Sequence, residues 1–116
     1  MGIFDDAIAV RDAALREIAA LSSAQRSKIS VVIGGVNPKT GQTAVGIKRS
    51  GENYGKSAED LCAEQFGEDA SSVLMSAAIR PRTGEVVPIC KRCQSKYNSN
   101  QFPPGTPIES DPYEAR

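Results

Sequence analysis

The sequence predicts a three-layer α/β domain, with helices on both faces of one mixed sheet that carries an N-terminal antiparallel hairpin. Three observations lead there. An amphipathic helical segment opens the chain, and two segments rich in Val, Ile and Thr follow it, separated by turn formers. A second helix, an apolar strand and a last helix come after those. With 116 residues, 40% of them apolar and 24% charged, the chain suits a single compact domain over residues 1–116 that buries roughly two-thirds of its unfolded surface.

Residues 5–21 read as the first helix. Phe4, Ile8, Leu15 and Ile18 recur at helical spacings, Asp5 or Asp6 is placed to cap the start, and Ser22-Ser23 to close it. Segments 29–36 and 43–48 read as strands, joined by the turn Asn37-Pro38-Lys39-Thr40-Gly41-Gln42. Gly34-Gly35 marks a bulge or a close backbone approach. With no helix following at phosphate-loop spacing, it argues against a P-loop. A loop over 50–56 leads into the helix that contains residues 62–66. Residues 73–79 are apolar enough for a central strand, and Arg80-Pro81-Arg82-Thr83-Gly84-Glu85 repeats the chemistry of the first turn. Residues 86–89 are short and extended, and a helix opens at Cys90 and runs to Tyr97. Beyond it, Pro103-Pro104-Gly105 and Pro107 make loop, residues 106–109 are the sole further strand candidate, and 109–116 form a polar flexible tail.

Charge constrains the partners. Fourteen basic residues balance fourteen acidic ones and the isoelectric point is near 6.3, so the molecule as a whole has no pull toward polyanions. The distribution is uneven: Arg80, Arg82, Lys91, Arg92 and Lys96 face only Glu85, a local basic strip of the kind that contacts nucleic acid. No apolar run is long enough to span a bilayer. Met1-Gly2-Ile3-Phe4-Asp5-Asp6 lacks the basic and apolar regions of a secretory leader and the Ser or Thr of a myristoylation signal. The expected site of action is the cytoplasm, with no membrane partner.

The three cysteines carry the chemistry. An odd count cannot close into a complete intramolecular disulfide framework, and all three sit at motif-like spacings, Cys62-Ala63-Glu64 and Pro88-Ile89-Cys90-Lys91-Arg92-Cys93. Zinc favours thiolate and imidazole, and a C-x-x-C pair grips one ion from a single turn. Structural zinc is closed by four protein ligands, whereas this chain has three Cys and no His. A site built on Cys62, Cys90 and Cys93 must recruit a carboxylate or leave the fourth position to water, which is the catalytic arrangement. Three thiolates and one Zn²⁺ sum to minus one. Helix N-termini, or Arg92 through hydrogen bonds to a ligand sulfur, would offset that excess. Glu64 sits two residues from Cys62, and in mid-helix the two side chains diverge by roughly 200°. They converge if the helix begins near Leu61, with residues 57–60 as a preceding turn. Ser57 and Asp60, at capping-box spacing, would instead start it earlier.

Cys-Ala-Glu followed by Pro-x-Cys-x-x-Cys resembles the zinc signature of the cytidine deaminase-like superfamily. The Lys91-Arg92 pair is similar to that of free-nucleoside and blasticidin-type deaminases. The order helix, hairpin, helix, strand, helix over residues 5–97 is similar to the superfamily core. Ile89 intervenes where the family usually places Pro directly before Cys, and only about twenty residues follow the last helix. That compact form looks like the deaminase domains at the ends of bacterial polymorphic toxins, particularly the YwqJ-like group. The resemblance implies a three-layer cytidine deaminase-like fold and a zinc cofactor. It also implies a mechanism in which activated water attacks the amidine carbon of a nucleobase, C4 if cytosine. Glu64 would move the proton from water to the ring nitrogen and on to departing ammonia. By the same analogy the Ala63 amide contacts the base, Asn53 contacts sugar or base, and Tyr54 and Tyr97 are candidates to stack it. The reading that follows is a monomeric toxin domain deaminating cytosine in nucleic acid, single-stranded DNA foremost, delivered from another bacterial cell and matched by an immunity protein. A free nucleoside deaminase and a non-catalytic zinc-stabilised binding module are the alternatives.

Overall fold

Helix α1 covers Asp5–Ala19, ending two residues before the periodicity suggests because a new helix starts at once. In this computed structural model, which describes residues 2–51, 56–89 and 91–108 with Lys91 and Arg92 as backbone, α2 spans Ser23–Arg26. Ser22 caps it, its Oγ accepting from the Gln25 amide at 3.2 Å while Gln25 Oε1 accepts from the Ser22 amide at 3.3 Å. The serines expected to close the first helix therefore open the second. Asp5 and Asp6 are not caps either; both lie in the first turn of α1, where their charge suits the helix dipole, and Phe4 holds the cap position.

Strands β1 (Ile29–Val36) and β2 (Thr43–Arg49) form the expected antiparallel hairpin. On the other side of β1 lie β3 (Leu74–Met75) and β4 (Ala78–Ile79), and β5 (Val86–Val87) pairs with β4. The order is β2-β1-β4-β5, with β3 also on β1. The continuous strand read over 73–79 is broken at Ser76, whose side chain substitutes for a ladder partner. Its Oγ accepts from the Gly34 amide at 3.0 Å and donates to the Ala77 carbonyl at 3.0 Å. All strand pairs are antiparallel, and the one parallel pairing among the described residues is the bridge between Ile89 and Ile108. The mixed sheet and the strand expected at 106–109 thus reduce to that bridge.

The two Pro-containing turns are the same device. Asn37 N–H bonds the Gln42 carbonyl at 2.8 Å and Arg80 N–H the Glu85 carbonyl at 2.9 Å. In each, a Thr hydroxyl accepts from the residue two ahead, and a glycine takes positive φ (Gly41 +79°, Gly84 +75°).

Strand alternation decides what each face meets. Val32 of β1 and Val45 and Ile47 of β2 pack with Ala14, Leu15 and Ile18 of α1. Ile33 and Ala44 turn the other way, into a larger cluster with Ala58, Cys62, Phe66, Val73, Met75, Cys93 and Phe102. Helices therefore cover both faces of the sheet. Gly34-Gly35 proves to be a close approach on both sides; the hairpin's bulge lies instead between Ile29 and Val31.

Candidate functional site at the junction of α3 and α4

Helix α3 spans Ala58–Ala63. It begins three residues before Leu61, because Ser57 and Asp60 satisfy each other's backbone: Ser57 Oγ accepts from the Asp60 amide at 3.1 Å, and Asp60 Oδ2 from the Ser57 amide at 3.2 Å. This capping box fills two donors that a start at Leu61 would leave open, and it corrects the expected boundary. After Ala63 the chain tightens into 3-10 turns over Glu64–Ser72, kinked at Gly67 (φ +59°).

The early start sets the direction of each side chain. Cys62 falls in the last turn, fully buried against the sheet. Its thiol lies 3.8 Å from the Ala44 carbonyl oxygen, and a Cβ built on Gly35 would lie 2.5 Å from its Sγ. Glycine at 46 is needed as well, since a Cβ there would collide with the Ala58 carbonyl and the Cys62 amide. Glu64 points away, exposed, with Oε2 2.9 Å from Lys56 Nζ. Cys62 and Glu64 do not converge. The carboxylate that shares a helical face with Cys62 is Glu59, three residues earlier and 5% exposed.

Helix α4 spans Lys91–Lys96 and brings Cys93, fully buried, against the start of α3. The Cys93 thiol donates to Ser57 Oγ at 3.0 Å. Asp60 locks the junction, accepting from the Tyr97 hydroxyl at 2.6 Å and lying 3.1 Å from Lys96 Nζ. Ala63 is buried beside Glu64. Asn53, Tyr54 and Cys90 lie outside the described residues, as does the side chain of Arg92.

The electrostatics follow burial. Desolvation, with the charge of Glu59 adding to it, pushes the Cys62 thiol up to about 12, so the metal-free group is a neutral thiol. Glu59 is itself raised, mainly by burial and further by Asp60, against a hydrogen bond from its own amide. Asp60 goes the other way: burial raises it, but the hydrogen bonds from Tyr97, the Ser57 amide and Lys96, with the Lys96 charge, outweigh that and hold it low. Tyr97 is pushed up by burial, then by Asp60, with Cys93 and Glu59 contributing. Those couplings place Glu59 within electrostatic reach of both Cys62 and Tyr97.

As metal donors, Cys62 and Cys93 fit a soft cation: both are buried thiols of one side-chain cluster. Among the described residues no three His, Cys, Asp or Glu side chains gather at one point; Cys90 is not among them. Sequence reasoning passed over Glu59 and Lys56, and took Asp60 only as a possible cap. The capping spacing of Ser57 and Asp60 was the available signal, because it fixes the helix phase that turns Glu59, and not Glu64, to the side of Cys62.

Comparison with known proteins gives no match: no protein-family model, no curated protein and no solved structure.

Proposed function

We propose that the chain is a zinc-dependent hydrolytic deaminase of a nucleobase, cytosine in nucleic acid, with a cytidine deaminase-like core. One observation carries the reading. Two elements separated in sequence, α3 and α4, each turn a wholly buried cysteine into the same cluster. The order α1, β1–β2 hairpin, α3, β3 and β4, α4 agrees with that of the superfamily the motif resembles. Cys62 and Cys93, with Cys90 of the same C-x-x-C pair, would hold the metal. When bound, zinc activates water as a nucleophile near neutral pH.

The chain's own residues would do the rest. The Asp60–Tyr97–Lys96 cluster fixes the angle between the two cysteine-bearing helices. The buried walls built by Phe66, Met75 and Phe102 keep bulk water from the thiols. Glu64 points away from Cys62 and pairs with Lys56 in the metal-free protein, and it would have to leave Lys56 and turn toward the metal to carry the proton to the ring nitrogen and the leaving ammonia. The proposed substrate is single-stranded DNA, for a monomeric toxin domain acting in the cytoplasm of a target cell and paired with an immunity protein. Among the described residues no helix is long and apolar enough to cross a membrane.

The test is zinc content by atomic emission, followed by uracil release from single-stranded DNA, duplex DNA, RNA and free cytidine. Glu64→Gln is expected to keep the zinc and lose activity by about 10²-fold or more. Zinc-loaded protein that deaminates none of these, nor adenine or guanine bases, refutes the reading.

The burial of Glu59 favours one second reading, a closed zinc site with Glu59 as the fourth protein ligand and no open position. In that case Glu59→Gln lowers zinc affinity and stability together, and Glu64→Gln changes nothing.

A further inference from the structure

Beside the buried thiols, on the solvent side of α3, lies a cleft of about 440 Å³ whose lining includes Lys56, Asp60, Ala63, Glu64, Lys96 and Tyr97. It is shallow and open to solvent, a surface groove rather than an enclosed pocket. Its chemistry is specific. Two ammonium groups reach it from different elements, Lys56 ahead of α3 and Lys96 at the end of α4. One wall is an aromatic ring, Tyr97, whose hydroxyl is anchored on Asp60 at 2.6 Å.

We propose that this cleft binds the phosphate esters of a nucleotide substrate, with Lys56 and Lys96 as the phosphate contacts and the Tyr97 ring as the platform for a base. The inference rests on the deaminase reading for its purpose, but not for its test.

The two ammonium groups are matched by the carboxylates of Glu64 and Asp60, so the support comes from their exposure and not from net charge. Asp60 is spent inward: only 12% of its side chain is exposed, and it already takes the Tyr97 hydroxyl, the Ser57 amide and Lys96. Lys56 and Lys96 keep half-exposed side chains, 50% and 45%. Each ammonium has three protons to donate, and Lys56 gives one bond to Glu64. Ion pairs this exposed are weak and screened by salt. A phosphodiester can therefore compete with Glu64 for Lys56, whose spare protons can serve both anions, against the repulsion between phosphate and carboxylate. A free nucleoside has no phosphate to compete in this way. Tyr97 is half-buried with its hydroxyl tied down, so its ring is held in place before a base arrives, as in single-strand stacking platforms.

Arg82 lines a separate cleft with Ser23, Arg26 and Ser27, so Arg82 and Lys96, two members of the basic strip, lie in different clefts.

The experiment is binding of a fluorescein-labelled single-stranded oligodeoxynucleotide of about 12 residues, followed by anisotropy while salt is varied. Lys56→Gln and Lys96→Gln are each expected to weaken binding several-fold at low salt. Each should reduce the slope of log affinity against log salt by about 0.7, the value for one lost single-strand phosphate contact. Displacement by cytidine monophosphate as well as by unlabelled oligonucleotide assigns a single nucleotide; displacement by the oligonucleotide alone assigns a strand. Unchanged slopes in both variants, or no binding of either probe, overturn the proposal. The two readings fail separately. Lowered slopes without deamination leave this site standing and remove the deaminase, while deamination with unchanged slopes does the reverse.

Discussion

Replacing Gly35 by alanine tests how α3 sits on the sheet and where Cys62 points. The added Cβ would lie 2.5 Å from Cys62 Sγ, 3.2 Å from Val73 Cγ1 and 3.5 Å from Phe66 Cε2. The first contact is about 1 Å short of van der Waals separation. A cysteine side chain has one rotor and little room here, so relief must come from α3 lifting off β1 and β2. Overpacking of this kind costs about 1–3 kcal/mol, and removing a strand glycine returns about 0.5–1 kcal/mol. The net expectation is a loss of about 1–2 kcal/mol. Unfolding entropy for 116 residues is about 0.24 kcal/mol/K, so the midpoint should fall by about 4–8 °C. The assay is thermal and urea unfolding of metal-free protein for wild type, Gly35→Ala, Cys62→Ala and the double variant. Because the clash is with the sulfur itself, Cys62→Ala should absorb most of the Gly35→Ala penalty, giving a coupling energy of at least about 1 kcal/mol. Gly35→Ala at wild-type stability, or additive single effects, would mean that Sγ does not lean on Gly35, and the direction assigned to Cys62 would be wrong. If Cys62 is a zinc ligand, the same substitution should also weaken zinc affinity in a chelator competition.

Further outcomes follow from the α3–α4 junction and from the cap of α2. Tyr97→Phe removes a 2.6 Å hydrogen bond to a carboxylate and should cost about 1–2 kcal/mol in urea unfolding. Lys96→Ala, which breaks a half-exposed ion pair, should cost less than about 1 kcal/mol; the reverse ranking would contradict the role given to Tyr97. Glu59 has a raised carboxyl pKa in the folded protein, so the native state holds its proton more tightly than the unfolded chain does. Stability of the metal-free protein is then lost as pH rises from near 4.5 through the raised value. Glu59→Gln should flatten that limb and be at least as stable as wild type at pH 7, and a variant that is less stable there would refute the assignment. Ser22→Ala should cost about 1 kcal/mol by removing the α2 cap. Hydrogen exchange should report the loss locally at Ser23–Arg26, and an effect spread over the sheet would argue against it.

The sheet was largely legible beforehand because its signals are local. Val, Ile and Thr mark β1 and β2, and the turns at 37–42 and 80–85, built on Pro-Lys-Thr-Gly and Pro-Arg-Thr-Gly, carry their own hydrogen-bond pattern in six residues. The break at Ser76 was not legible, since it depends on a hydroxyl finding the amide of Gly34, 42 residues away. The site divides in the same way. Cys62 and Cys93 could be picked out by spacing, whereas their burial in one cluster depends on how α3 and α4 dock. The phase of α3 turned on whether Ser57 and Asp60 cap a helix or form a turn. That local choice sends Glu64 to solvent and Glu59 to the interior.

By itself the sequence determined an α/β chain with helices around an antiparallel hairpin, and cysteine spacings with no histidine to complete a four-ligand site. These are properties of composition and short-range pattern, which one segment carries without its neighbours. Tertiary structure alone decided which face each side chain meets. It placed Gly35 and Gly46 where α3 presses onto the sheet, brought Tyr97 and Lys96 to Asp60, and put Arg82 and Lys96 in separate clefts. The physical reason is that burial, desolvation and ion pairing depend on distances between residues far apart in the chain, and those distances exist only once the helices have docked.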